Sequence, residues 1–218
     1  CASSPSTSGR RSSARRSAVP ARYPVARHRT SGFALIEALI TIVILAFGIL
    51  GLAGLQAKMQ AAEMESYQRT QALILLNDMA SRIKVNRNSA ASYAMADPTA
   101  DFLGNGMDCD GIPMGTPPTV QQTDYFEWCE ALQGAAETSS GAGVGAMVRG
   151  RGCVEDLGSD QYLISVVWQG LTPVSAPPLN LDCGLDAANA YDGPAGSDCV
   201  NDLCRRYVTT IVRIGNLL

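Results

Sequence analysis

The chain has 218 residues, 46% of them hydrophobic, and a formal net charge of −3. This length suffices for one ordinary domain plus an appendage. Residues 1–32 carry seven arginines and no acidic residue, so the other 10 basic residues and all 20 acidic residues lie after them. No phosphate-binding loop, nucleotide fingerprint or basic–aromatic pattern occurs, which argues against a nucleotide-binding or nucleic-acid-binding protein.

The arginine-rich segment, residues 1–32, is interpreted as a leader. Arginines beside one end of a membrane span keep that end in the cytoplasm, so the C-terminal part should lie outside. A nucleic-acid-binding arm is the alternative, but the apolar segment that follows favours a topogenic role. The chain begins with Cys1 rather than Met, so we expect either a fragment or a misassigned start.

An uncharged segment follows at residues 38–57. As a helix with a rise of about 1.5 Å per residue, it spans the roughly 30 Å hydrocarbon core of a bilayer. Glu37 lies at its start, and a charge within a membrane span costs roughly 2.5–3.5 kcal/mol, so we expect it to have a function. Cleavage after Gly32 would place the new ammonium of Phe33 four residues before Glu37, on the same chain or on a neighbour.

The run Gly32-Phe33-Ala34-Leu35-Ile36-Glu37 and the apolar helix behind it resemble the processing signal of type IV prepilins. The resemblance implies that prepilin peptidase cleaves between Gly32 and Phe33 and that Phe33 is then N-methylated. It also implies a role for Glu37 in filament assembly. An ordinary signal anchor with a chance glutamate is the alternative.

The absence of proline between Pro24 and Pro98 allows one helix from about Leu35 to Asn88. Residues 33–57 would form its transmembrane or filament-core part and residues 58–88 an amphipathic continuation, with residues 89–218 as a periplasmic or extracellular head. Apolar residues three and four positions apart predict the face toward that head. These residues are Met59, Ala62, Leu73, Leu76, Ala80 and Ile83.

Glycines recur at Gly48, Gly51 and Gly54, loosely on one side of the helix. Small residues let another helix approach closely, so this side could pack within a filament. Alternatively, the glycines could let the helix unwind on assembly, because each weakens it by about 0.8–1.0 kcal/mol relative to alanine. Major type IV pilins usually carry proline at the position of Gly54, so by resemblance a minor subunit is implied.

Residues 47–56 and the Asp-Met-x-x-Arg-x-x-x-Asn-Arg pattern within residues 77–87 resemble the PilV family of type IV pilus modification proteins. This resemblance implies a pilin-like α+β fold, with a long N-terminal helix packed on a small antiparallel sheet and a disulfide-stapled C-terminal loop. It implies a minor pilin of the tip-initiating complex that modulates pilus assembly, display or adhesion. The implied partners are other minor and major pilins and the inner-membrane assembly platform. The implied location is the bacterial inner membrane, with a single span and a periplasmic C-terminus, and later the pilus.

Within the head, residues 89–123 are predicted to form a loop. A helix is predicted at residues 124–136, with Asp124 as N-cap and Glu127 three residues later, followed by a glycine-rich turn at residues 139–145. Strands are predicted at residues 144–154, 161–169 and 206–214. The second and third should pair antiparallel across a loop at residues 170–205, with alternate residues of the second on one face: Tyr162, Ile164, Val166 and Trp168.

Cysteine usage fits an exported head. Without Cys1, six cysteines remain, and an even number in an exported domain predicts disulfides with 15 possible full pairings. They are Cys109, Cys129, Cys153, Cys183, Cys199 and Cys204. A zinc site is the alternative and would need four thiolates, because the single histidine, His28, lies in the leader. Without that histidine, Ser-His and Cys-His catalysis is unavailable and no enzyme, metal or cofactor is predicted.

Several other residues allow two interpretations. Acidic residues near Cys109 and in the C-terminal loop could bind calcium, but none has EF-hand spacing, so solvated loops are favoured. They are Asp108, Asp110, Asp182, Asp186, Asp192, Asp198 and Asp202. Trp128 and Trp168 are predicted to be core residues rather than sugar platforms. Arg205 and Arg206 could pair with the loop acids or protect a sheet edge.

Two other functions stay open from the sequence. One is a minor pseudopilin of a type II secretion system, which would share the helix and the processing signal. The other is a membrane-anchored exported binding domain that never joins a filament.

Overall fold

The computed structural model describes residues 35–135, 138–139, 142–143, 147–185 and 190–215. The predicted leader, Gly32 and Phe33 lie outside these ranges. The chain divides into two compact units, residues 1–49 and 50–218, and one long helix contributes to both. The first unit is described from Leu35 onward as helix; the second holds the sheet and the remaining helix.

Helix α1 runs continuously over Leu35–Val85, as predicted, for 51 residues. It ends three residues before the predicted Asn88, and a 3₁₀ segment follows at Arg87–Tyr93. At Asn86 the backbone leaves the helical region, with φ −93° and ψ 39°. The Asn86 side chain donates to the Tyr93 hydroxyl at 3.0 Å. Such local side-chain hydrogen bonds compete with helix continuation.

The head-facing stripe of α1 differs from the predicted one. Its buried residues are Gln68, Ala72, Leu76, Met79, Ala80 and Ile83. Leu76, Ala80 and Ile83 are therefore predicted correctly, whereas Met59, Ala62 and Leu73 are exposed. The stripe passes through Ala72, which lies about 100° around the helix from Leu73. Apolar periodicity could not tell which of these two neighbours faces the head.

The main sheet is antiparallel with strand order β1-β4-β5-β6. Its strands are β1 (Leu103–Gly104), β4 (Arg151–Gly158), β5 (Gln161–Gln169) and β6 (Arg205–Arg213). A separate pair consists of β2 (Thr138–Ser139) and β3 (Ala142–Gly143), where the glycine-rich turn was predicted. Strand β5 has the predicted bounds, and β6 begins one residue early and pairs antiparallel with β5, as predicted.

Strand β4 lies further along the chain than the predicted strand 144–154. Its pairing with β5 is closed by Ser159 and Asp160, both with a positive φ of 55°. Two consecutive residues with positive φ form the turn that suits the twist of a hairpin. The tight turn therefore draws β4 toward β5, and the glycine-interrupted stretch before Arg151 lies outside the strand.

Helix α2 occupies Val120–Leu132, so the predicted range 124–136 and the Asp124 N-cap are wrong. The N-cap is Thr119, whose hydroxyl accepts from the Gln122 N–H at 3.2 Å, while the Gln122 side chain accepts from the Thr119 N–H at 2.9 Å. This reciprocal capping box starts the helix four residues early. The predicted loop 89–123 also contains strand β1 and a 3₁₀ turn at Cys109–Gly111.

Both faces of the sheet are covered over much of β5. Tyr162, Ile164, Val166 and Trp168 pack in the cluster that includes the α1 stripe and α2 residues Trp128 and Leu132. On the opposite face, Val167 and Cys153 pack with Phe102, Leu181, Cys183 and Tyr191. The sheet is thus a layer between the helices and the C-terminal loop.

Three disulfides join the six cysteines of the head. Cys109–Cys129 ties the 3₁₀ turn to α2, Cys153–Cys183 ties β4 to the C-terminal loop, and Cys199–Cys204 closes a short segment before β6. With all six sulfurs paired, no thiolate remains for the zinc alternative. The predicted fold class, a long N-terminal helix on a small antiparallel sheet with a disulfide-stapled loop, is confirmed.

Substituting Gly152 should reveal how tightly α2 packs on the sheet. A Cβ at Gly152 would lie 2.3 Å from Cη2 of Trp128, so Gly152→Ala should lower the free energy of unfolding by about 1–3 kcal/mol. Gly111→Ala, where the nearest atom would lie at 3.4 Å, is the control. Urea unfolding of the full chain in detergent, followed by tryptophan fluorescence, measures both; equal midpoints would contradict this packing.

Candidate functional site

The N-terminal part of α1 exposes its apolar side chains. Within the first unit, Leu35 is 77% exposed and Phe47 70% exposed. Helix α1 is long and apolar enough to cross a membrane, and no residue in its apolar window is buried. Exposed apolar surface costs about 25 cal/mol for each Å² left in water. This surface therefore requires lipid or other apolar helices around it.

Glu37 is the only charged residue of α1 before Lys58. Its side chain is exposed, and no basic group forms an ion pair with it among the residues described. In lipid or in a bundle of apolar helices, a carboxylate at this position requires a cation or a proton. Gly32 and Phe33, which would supply the ammonium after cleavage, lie outside the described ranges, so processing and the assembly role of Glu37 stay predictions.

The three helix glycines leave open space beside α1. A Cβ built at Gly48, Gly51 or Gly54 would meet no atom within 4 Å. Packing inside this chain therefore does not require glycine at any of the three positions. Close approach of another helix and unwinding of α1 both remain predictions for them.

Further along α1, Arg82 joins the helix to α2. Its guanidinium lies 2.9 Å from Asp78, 2.8 Å from Asp124 and 2.6 Å from Glu127. Burial opposes the charged form, but the hydrogen bonds to Glu127, Asp124 and Asp78 outweigh it and raise the Arg82 pKa. Asp124, which the sequence suggested as a cap, is thus a buried acceptor between two helices.

Tyr93 completes the same cluster. Its hydroxyl donates to the second carboxylate oxygen of Asp124. The Tyr93 side chain is fully buried, and burial together with the hydrogen bond to Asp124 raises its pKa to about 12. The neutral phenol is therefore the form that the folded head favours.

Glu65 fixes α1 to the other end of the sheet. Its carboxylate accepts from the N–H groups of Leu171 and Thr172, both at 3.1 Å, and from the Thr172 hydroxyl at 2.9 Å. Arg206 lies 3.3 Å away. Burial opposes ionisation, but the hydrogen bonds from Thr172 and the charge of Arg206 lower the Glu65 pKa below its usual value.

The arginines and tryptophans can now be placed. Arg205 pairs with the loop acid Asp202 at 2.8 Å, one of the two predicted arrangements, whereas Arg206 pairs with Glu65. Trp128 and Trp168 are 0% and 3% exposed, so both are core residues as predicted. The sequence gave no signal for the Glu65 contacts, while the four-residue spacing of Asp78 and Arg82 could have revealed one ion pair.

The acidic loops show no metal site within the ranges that the structure describes: no group of three or more His, Cys, Asp or Glu residues could hold an ion. Asp192 instead accepts from the N–H groups of Asn201 and Asp202, each at 2.9 Å. Asp186 lies outside the described ranges.

Comparisons with known families agree with this division of the chain. Residues 27–53 match the model of the prokaryotic N-terminal methylation motif. Residues 54–110 match the model described as type IV pilin Tt1218. No curated protein and no solved structure gave a match. The two matches meet within α1 and support a type IV pilin, a structural protein rather than an enzyme.

The Tyr93 pKa predicts how the stability of the head responds to alkali. Because the folded-state pKa is raised, Tyr93 contributes its full stabilisation below the ordinary tyrosine pKa of about 10. It loses that contribution as the pH rises to about 12. Denaturant unfolding of the full chain in detergent between pH 8 and 12 should show this decline, whose slope Tyr93→Phe should reduce. Tyr67→Phe, at a 40% exposed tyrosine, is the control; equal slopes in all three proteins would refute the role of Tyr93.

Proposed function

We propose that this chain is a minor type IV pilin. It is cleaved between Gly32 and Phe33, methylated on Phe33, held in the inner membrane by the first part of α1 and then built into a pilus. The observation that carries this proposal is an uncovered apolar helix with a single carboxylate at its start, within a segment matching the methylation motif. The match of the adjoining residues to a type IV pilin model supports it.

The mechanism is a transfer of α1 from lipid to protein. In the bilayer, residues 38–57 contact acyl chains; in the filament, the same side chains contact the helices of neighbouring subunits. Lipid tails are as apolar as leucine, so close packing and polar contacts must drive this exchange. Gly48, Gly51 and Gly54 provide room for close approach between helices.

Glu37 sets the register of the transferred helix. A carboxylate left unpaired in an apolar core is strongly penalised, so α1 stops where Glu37 meets an ammonium group. The methylated N-terminus of Phe33 on a neighbouring subunit provides that group. Misregistered arrangements leave both charges unpaired and are disfavoured.

A minor rather than a major role is supported by Gly54, where major pilins usually carry proline, and by the resemblance of the second half of α1 to the PilV family. In this role the chain joins the tip-initiating complex and modulates pilus assembly, display or adhesion. Its partners are prepilin peptidase, the inner-membrane assembly platform and other pilins. The arginine-rich leader places the head on the periplasmic side before assembly.

The test is the intact mass of the protein in sheared surface filaments and in membranes, before and after reduction. The expected species in the sheared fraction begins at methylated Phe33 and gains two hydrogens for each of the three disulfides on reduction. An unprocessed chain confined to membranes would overturn the proposal and favour an anchored binding domain. Processed protein confined to membranes would overturn incorporation into pili and favour a pseudopilin.

Glu37→Ala should separate anchoring from assembly. Removing the charge leaves the apolar segment able to insert, but about tenfold less chain should reach the sheared fraction, corresponding to about 1.4 kcal/mol. Glu63→Ala changes an exposed acid on the same helix and is the matched control. Incorporation equal to that of the control would contradict the role given to Glu37.

A further inference from the structure

A cationic depression lies at the C-terminal end of α1. Its volume is about 250 Å³, and it is lined by Lys84, Arg87 and Arg213 together with Ile214 and Gly215. Lys84 belongs to the last turn of α1, Arg87 to the 3₁₀ segment and Arg213 to the end of β6. Three of the 10 basic residues after residue 32 therefore converge on one place, although the same part of the chain holds 20 acids.

These three cations have no carboxylate partner within the part of the head that the structure describes. Arg87 donates to the carbonyl oxygen of Gly215, which carries no net charge. Arg82, Arg205 and Arg206, by contrast, each pair with a carboxylate. The partial negative charge at the end of α1 favours Lys84 but extends only about one turn. The depression is therefore a surface that an acidic partner would neutralise.

An apolar side chain adjoins these cations in the sequence. Val85, the last residue of α1, is 85% exposed. A helix end that presents an uncovered Val85 next to Lys84 combines an apolar projection with positive charge. A fitting partner has an apolar hollow surrounded by carboxylates.

The same head carries such a hollow. It has a volume of about 290 Å³, and its apolar wall includes Met95, Phe102, Met107, Ile112, Pro113 and Tyr125. Asp101 lines it as well. Asp97, Asp108 and Asp110 are exposed on the same chain segment, and within the described ranges no cation pairs with any of these four aspartates.

We propose that the cationic helix end of one copy of this chain docks on the acidic hollow of a second copy. Val85 enters the hollow, while Lys84, Arg87 and Arg213 face the carboxylates of residues 97–110. Two different surfaces that join head to tail form the kind of contact that repeats along a helical filament. The inference thus rests on the proposed function, and a contact of this size gains strength because the α1 helices already hold the two copies together.

The primary test places a photo-crosslinking residue in the full chain within its host cells, as Val85→p-benzoylphenylalanine. After irradiation, membranes and sheared filaments are analysed separately for a covalent dimer, and its cross-linked peptide is identified by mass spectrometry. The expected peptide from the second copy lies within residues 95–125. A dimer linked elsewhere, or no dimer in either fraction, overturns the inference.

Charge reversal then tests the pairing. Lys84→Glu with Arg213→Glu should lower the dimer yield about tenfold, and adding Asp101→Lys with Asp108→Lys should restore it. Lys58→Glu with Arg69→Glu makes the same change in net charge at exposed positions outside the depression and should leave the yield unchanged. Failure of the four-residue variant to restore the yield, with its disulfides formed, overturns the inference.

Other occupants give distinct results. Cross-linking of Val85 to an acidic polysaccharide, to nucleic acid or to a different protein, without the dimer, excludes a second copy as the partner. A chain that is processed and present in sheared filaments without the dimer overturns this inference and leaves the proposed function intact. If the chain stays unprocessed, the proposed function fails, and the dimer yield in membranes still decides the inference.

Discussion

The contact of Trp128 with its neighbours holds the layers of the head together. The indole is fully buried in the cluster that unites α1, α2 and the sheet. Its N–H donates to the carbonyl oxygen of Leu75 on α1 at 2.9 Å, and its ring occupies the space that a side chain at Gly152 of β4 would need. One residue of α2 thereby sets the separation of all three elements, and the stripe of α1 that is buried follows from it.

Charged residues then fix the rotation of α1 on the head. Arg82 binds Asp124 and Glu127 of α2, and Glu65, more than four turns earlier, binds Thr172 and Arg206 beside the sheet. Rotating the helix would break both sets of contacts and leave partly buried charges unpaired, which is costly. The second half of α1 is therefore committed to the head, while the first half remains apolar and uncovered, available to lipid or to neighbouring helices.

Elements with a strong local signal were predicted well. Strand β5 has alternating apolar and β-branched residues with buried neighbours on both faces, and its bounds match. The proline-free segment formed one helix. Strand β1 has only two residues, too few to show any period, and it was missed. Asp124 has the chemistry of an N-cap, but the capping box of Thr119 and Gln122 begins the helix earlier and leaves Asp124 free to bind Arg82 and Tyr93.

The sequence by itself determined the features that depend on neighbouring residues: the apolar segment with Glu37 at its start, the long helix, the two longest strands and an even set of exported cysteines. Only the tertiary structure decided which cysteines pair, that Arg82 meets carboxylates 42 and 45 residues away and that Arg87 lies beside Gly215, 128 residues later. Helix and strand periods report which face a residue occupies within its own element. Packing of distant elements decides what that face meets, and therefore where the charges of the head converge.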